Sequence, residues 1–151
     1  MKKILFGVVL AAFSISSASA CSCRFVSLDE YVDEADQIFI ATLQSAKMLP
    51  GDYPTKWPSI EGSFHVKRTL KGEMPASDVV FTTGLGRSDC GVFMTVSMKY
   101  IIFKKKQDTG IGGCSGTSAM EDFQEDEIAH KIQAILNQRK RKPQKRDSVR
   151  P

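Results

Sequence analysis

The chain has 151 residues, 42% hydrophobic and 25% charged, with a formal net charge of +4. That balance is globular, neither depleted enough in apolar residues to stay unfolded nor rich enough in them for a multi-span membrane protein. The positive sign is local: residues 139–151 carry seven basic residues and one acid, whereas residues 21–138 carry 12 basic and 16 acidic ones, so the overall positive charge is a property of the tail.

The first twenty residues have the layout of an export signal. Lys2 and Lys3 precede an apolar run from Ile4 to Ile15 that is too short to span a bilayer, and Ala18-Ser19-Ala20 is a small-x-small cleavage site. Cleavage there leaves Cys21 as the first mature residue and about 130 residues behind it, enough for one domain with one modest core. The expected organisation is a signal peptide over 1–20, a single domain over 21–138 and a basic tail over 139–151. The destination is secreted or periplasmic, and nucleic acid is not an expected partner of an exported chain. Acylation of Cys21, giving an outer-membrane lipoprotein, is the alternative. The usual lipidation signal has Leu three positions before the cysteine, where this chain has Ala18.

Further along, "SLDEYVDEA" opens with Ser27 and Glu30 in capping-box spacing and places Leu28, Tyr31, Val32 and Ala35 on one helical face. "QIFIATLQSA" is β-branched and aromatic, a strand that runs until Pro50. "LPGDYPTKWPS" gathers three prolines and a glycine into a loop. "GSFHVKRTLKG" sets Phe64 and Val66 against Ser63, His65 and Lys67, the alternation of a half-buried strand. "SDVVFTTG", "GVFMTVS" and "MKYIIFKKK" read as three more strands, five in all, which suits a small barrel. A glycine-rich loop carrying Cys114 follows. Then Ser118 and Glu121 form a second capping-box pair ahead of a helix striped by Ile128, Ile132, Ile135 and Leu136, expected to pack on the barrel. The tail "RKRKPQKRDSVRP" has only Val149 to bury and reads as disordered; its available role is polybasic attraction to an anionic membrane or polysaccharide.

No catalytic constellation emerges, so an enzyme is not expected, nor a bound cofactor. His65 and His130 lie on different elements with no nucleophile in pattern beside them. Asp29, Glu30, Asp33, Glu34 and Asp36 crowd the first helix without a metal-loop spacing and read as a solvated face that complements the helix dipole. "GLGRS" lacks the strand-to-helix setting of a phosphate loop. What remains is Cys21, Cys23, Cys90 and Cys114. One C-x-C and two single cysteines in an oxidising compartment point to two disulfides rather than to a four-thiolate zinc site. A Cys21–Cys23 ring has poor geometry, so each of the pair should reach across to Cys90 or Cys114, in either order.

A mature "CSC" terminus, a short helix, "ADQIFIATL", a strand running into "LKG", "VVFTTG", "CG", "KYIIF" and a cysteine before the last helix together resemble the tissue inhibitors of metalloproteinases, and more broadly the netrin-like domain. The resemblance covers most of residues 21–136. It implies a mainly β fold: a five-stranded OB-type Greek-key barrel flanked by a short N-terminal helix and a C-terminal helix. It also implies the pairing Cys21–Cys90 and Cys23–Cys114. In that family the free α-amine and carbonyl oxygen of the first cysteine chelate the target protease's catalytic zinc. The inhibitory edge would then comprise Cys21, Ser22, Cys23, Arg24 and Phe25, with Ser22 entering a specificity pocket and Asp89 and Gly91 presented alongside. The protein itself would hold no metal and would act as a monomer. Arg24 and Phe25 stand where vertebrate members have a proline-rich run, and a third disulfide and a second domain of theirs are missing. The competing function is a non-inhibitory envelope module that binds a protein or glycan, surface-held either by lipid on Cys21 or by the basic tail.

Overall fold

A computed structural model describes residues 23–24, 26–52, 57–73, 75–85 and 90–141. The signal segment, Cys21, Ser22, Phe25, Asp89 and the tail from residue 142 lie outside the described residues, so the expectations placed on them are not addressed by it. The order of elements is helix α1 (Leu28–Glu34), strands β1 (Gln37–Leu49), β2 (Ser59–Lys71), β3 (Asp78–Thr83) and β4 (Lys99–Lys104), a 3-10 turn Gly113–Ser115, strand β5 (Ser118–Met120), a second 3-10 turn Asp122–Gln124, and helix α2 (Glu125–Arg141).

The five strands form one open, wholly antiparallel sheet in the order β3-β2-β1-β4-β5. One isolated parallel bridge, Thr82 with Gly110, lies outside these ladders. The first half of β1 reads as an unbroken apolar run because both of its faces are covered. Ile38 and Ile40 face a cluster shared with Val32, Leu70, Phe103 and Ile132, while Phe39, Ala41 and Leu43 face a second cluster built on Phe64, Phe81, Tyr100 and Ile102. Beyond Leu43 the side chains of β1 are largely exposed, while its pairing with β2 continues out to Leu49 and Ser59 and β2 pairs there with β3 on its other side.

Strict alternation along β2 would send Arg68 inward with Phe64 and Val66, burying an unpaired charge. Two register shifts prevent this. Ala41 pairs with Val66 and Ile40 with Arg68, leaving Lys67 extra; Phe39 pairs with Thr69 and Ile38 with Lys71, leaving Leu70 extra. Each extra residue acts as a bulge that swings the following side chain to the other face. Arg68 thereby meets Asp126 of α2 at 3.3 Å, and the Lys71 ammonium donates to the Val32 and Ala35 carbonyls, both at 2.6 Å. The latter contacts cap the C-terminal end of α1, where the helix dipole favours a cation. At the other end of α1 the Ser27–Glu30 capping box is formed as its spacing suggests.

Three local expectations are corrected. "GVFMTVS" (91–97) is not a strand. Its backbone groups are bonded one by one rather than by a ladder: Thr83 Oγ1 accepts from the Val92 N–H, Tyr100 Oη accepts from the Thr95 N–H and donates to the Phe93 carbonyl, and the Ser97 N–H donates to the Leu43 carbonyl of β1 at 2.8 Å. The fifth strand is Ser118–Met120, paired on β4, so Ser118 caps nothing; the reciprocal box before α2 is instead Glu121 with Gln124. Finally, the basic run does not leave the fold at Arg139. Arg139–Arg141 are the last turn of α2, and Arg139 makes a two-point contact with Asp33 at 3.2 and 2.8 Å. The apolar stripe of α2 packs on one face of the open sheet, with Ile132 buried and Ile128, Ile135 and Leu136 against the helix-side cluster.

Candidate functional site: a cluster of cysteine sulfurs

Three chain segments converge at one end of the sheet. Cys114 lies in the 3-10 turn between β4 and β5, whose end is set by Gly116 at φ 85°. A Cβ at Gly116 would stand 2.9 Å from the Tyr31 ring, so the turn and α1 approach as closely as glycine permits. The same turn is tied to β4 through Thr117, which is buried and whose Oγ1 accepts from the Phe103 N–H at 3.1 Å. Cys90, shortly after β3, holds a left-handed φ of 59°, and its carbonyl accepts from the Gly113 N–H at 2.8 Å. A non-glycine residue in that region persists where its surroundings impose it.

The third segment is the N-terminal arm. Cys23 is joined to Cys114 by a disulfide across 91 residues, with Cα atoms 5.1 Å apart. In the chain-entropy description a loop of that length contributes about 4–5 kcal/mol by restricting the unfolded chain. The sulfurs of Cys23, Cys90 and Cys114 all lie within 4.8 Å of one another. Such spacing would suit a metal if these were thiolates, but Cys90, like the other two, is disulfide-bonded and offers no thiolate. The cluster is therefore a stack of covalent bridges.

Arg24, the described member of the expected edge beside Cys23, has a side chain 78% exposed, and its guanidinium lies 2.8 Å from Glu30. Glu30 is held below the ordinary carboxylate range, chiefly by the Ser27 backbone N–H and then by the charge of Arg24. The acids of α1 are thus more than a solvated face. Glu30 serves the cap and the arm, Asp33 holds Arg139, Glu34 pairs with Lys105 at 2.9 Å, and Asp36 accepts from the Lys106 N–H at 2.8 Å. This charge network distributes the carboxylates of α1, and Asp36 just after it, among the arm, Arg139 and the Lys105–Lys106 segment.

The two histidines are not brought together. His65 pairs across β2 and β3 with Asp78 at 3.0 Å, while His130 lies on the exposed side of α2. Sequence reasoning missed a cleft of about 350 Å³ beside the bridge, lined by Tyr31, Glu34, Phe103, Lys105, Asp108 and Cys114. Its only sequence signal was the glycine-rich approach to Cys114, which marks close packing without saying against what. No protein-family model matches the chain, and no curated protein matches it.

Proposed function

We propose that the protein is an exported, single-domain inhibitor of zinc metalloproteases, whose inhibitory group is the α-amine and carbonyl of Cys21. The observation that carries this reading is the convergence of the Cys23, Cys90 and Cys114 sulfurs within 4.8 Å. With Cys23 fixed by its bridge, covalent geometry keeps residue 21 within about 7 Å of it, in reach of Cys90. A Cys21–Cys90 bridge then fits beside Cys23–Cys114. A terminus clamped twice is ordered before it meets its target, which removes much of the entropy cost of binding.

The chemistry follows from the target. A catalytic zinc keeps one open position for the water that attacks the substrate. An α-amine with a pKa of about 8 is partly neutral at pH 7 and has a lone pair for that position. Ser22 would occupy the adjacent specificity pocket, with Arg24 beside it. An OB-type barrel is the matching fold. Its support is the Thr82–Gly110 bridge, reinforced by the Ile111 N–H donating to the Thr82 carbonyl at 2.9 Å, which brings the chain ahead of Cys114 back along the outer edge of β3.

The test is inhibition of a panel of zinc endopeptidases by protein beginning at Cys21, compared with the same protein extended by one N-terminal alanine. The extension keeps both bridges but buries the chelating amine in a peptide bond. Loss of inhibition on extension is the expected result. Equal inhibition by both forms rejects chelation, and no inhibition by either leaves the binding-module reading as the better one.

A further inference from the structure

Strand β1 outruns its partner on one side. Residues Gln37–Thr42 pair with β4, and Leu43 is tied to that side by two further bonds, its N–H donating to the Met98 carbonyl at 3.0 Å and its carbonyl accepting from the Ser97 N–H at 2.8 Å. From Gln44 to Leu49 the strand is paired with β2 alone, and its other edge has no backbone partner among the described residues. The open groups can be assigned. The two bonds of Leu43 show that its backbone points away from β2, and residues of one strand whose side chains share a face send their N–H and C=O groups to the same side. Ala46 shares the face of Leu43, because it pairs with Gly62, where a Cβ would meet Leu43 Cδ1 at 2.9 Å and the Met94 sulfur at 2.6 Å. The N–H and C=O of Ala46, and of Met48 two residues on, therefore point out from the sheet. The two outer edges of the sheet are less open, since β3 is met at Thr82 by Gly110 and Ile111 and β5 has only three residues.

An extended segment laid antiparallel against this edge bonds all four groups when two of its residues stand opposite Ala46 and Met48. The residue between those two then stands opposite Lys47, on the other face. A second copy of β1 in that register would set Lys47 directly against its own counterpart, and like charges so placed are unfavourable; a lysine on an edge strand is a common guard against self-pairing. Lys47 is held by Glu61 at 2.8 Å, yet its side chain stays 67% exposed, which leaves its ammonium room for a second carboxylate. Along the other face Met48 is 70% exposed, and the adjoining segment, bonded to Leu43 through Ser97, exposes Phe93 at 62% and Val96 at 50%. Apolar side chains grouped beside open backbone groups mark a surface that gains by being covered. We propose that the β1 edge from Gln44 to Leu49 is a strand-addition site for an extended peptide of a protein partner, with an acidic residue over Lys47 and apolar residues opposite Ala46 and Met48. The site uses none of the cysteines and stands or falls independently of zinc chelation.

The experiment is an amide NMR titration of the folded, oxidised protein with the blocked peptide Thr-Val-Glu-Val-Thr, alongside the same peptide with Lys in place of Glu. Saturable shifts centred on Gln44–Leu49 and on residues 93–97 are expected with the Glu peptide, and the Lys peptide should bind about three- to tenfold more weakly. Lys47→Glu should reverse that order. Met48→Pro removes an outward donor without touching the β2 ladder, and should abolish binding while the amides of β2 and β3 keep their native dispersion. If that variant loses its fold, the charge reversal at Lys47 decides alone. Absence of saturable shifts at millimolar peptide, shifts confined to another surface, equal binding of the two peptides, or undiminished binding by folded Met48→Pro overturns the proposal. Sedimentation of the protein by itself settles the occupant: a monomer is expected, and a concentration-dependent dimer that Met48→Pro abolishes would give the edge to a second copy and overturn the assignment to a partner peptide.

Discussion

Gly116 and Glu30 hold the two ends of the site. At Gly116 the backbone is left-handed and a Cβ would meet the Tyr31 ring at 2.9 Å, whereas at Gly113 the nearest atom to a Cβ is a carbonyl oxygen at 3.6 Å. Gly116→Ala should therefore cost about 1–3 kcal/mol in urea unfolding, and Gly113→Ala much less. Equal effects would mean that the turn adapts and does not fix Cys114. Glu30 makes a pH prediction. Its native pKa is lowered, chiefly by the Ser27 N–H, so the stabilisation it provides is present above the unfolded pKa of about 4.3 and is lost as pH falls through the lower native value. An NMR titration should find the Glu30 carboxyl below that of an unstructured glutamate, and Arg24→Ala should raise it. An unshifted carboxyl would remove the electrostatic tie between the arm and α1.

At the level of elements, the sequence conveyed type better than register. "IFIA" and the α2 stripe were legible because apolar content and spacing are local properties, and the Ser27–Glu30 box was legible because its two partners lie three residues apart. The β2 bulges were not. They depend on Arg68 and Lys71 finding Asp126 and the carbonyls of α1, far away in sequence. Residues 91–97 misled because alternation survives there, although Tyr100 and Thr83 side chains bond its Val92, Phe93 and Thr95 backbone groups and the Ser97 N–H donates to the Leu43 carbonyl of β1 without a strand ladder forming. The capping role of Lys71 is testable: Lys71→Met leaves the Val32 and Ala35 carbonyls without their donor and should cost about 1–2 kcal/mol in chemical denaturation. No loss would assign those carbonyls to solvent. Packing of α2 is tested by Ile132→Ala, expected to cost about 2–5 kcal/mol, against Phe123→Ala, whose side chain is 81% exposed and whose loss should stay within about 0.5 kcal/mol.

Across the whole molecule, a modest sheet with two covered faces carries a site made mainly of covalent links. The cysteine count and the expectation of an export signal pointed to bridges, and the structure supplies what spacing could not: Cys114 as the partner of Cys23, and Cys90 beside them. Composition alone could not have found that convergence, because it is produced by the turn after β3 meeting the turn before β5. Cys114→Ser should lower stability by about 4 kcal/mol, since the closed loop spans 91 residues. The central proposal is a free nitrogen at Cys21, held by two bridges, and its most direct test is the intact mass, with and without alkylation, of the protein recovered from cells expressing the full chain. The account predicts a chain starting at Cys21 with an unmodified terminus, four hydrogens lighter than the all-thiol form and inert to alkylating agent until reduced. An acylated terminus, a different first residue or alkylation before reduction would contradict it.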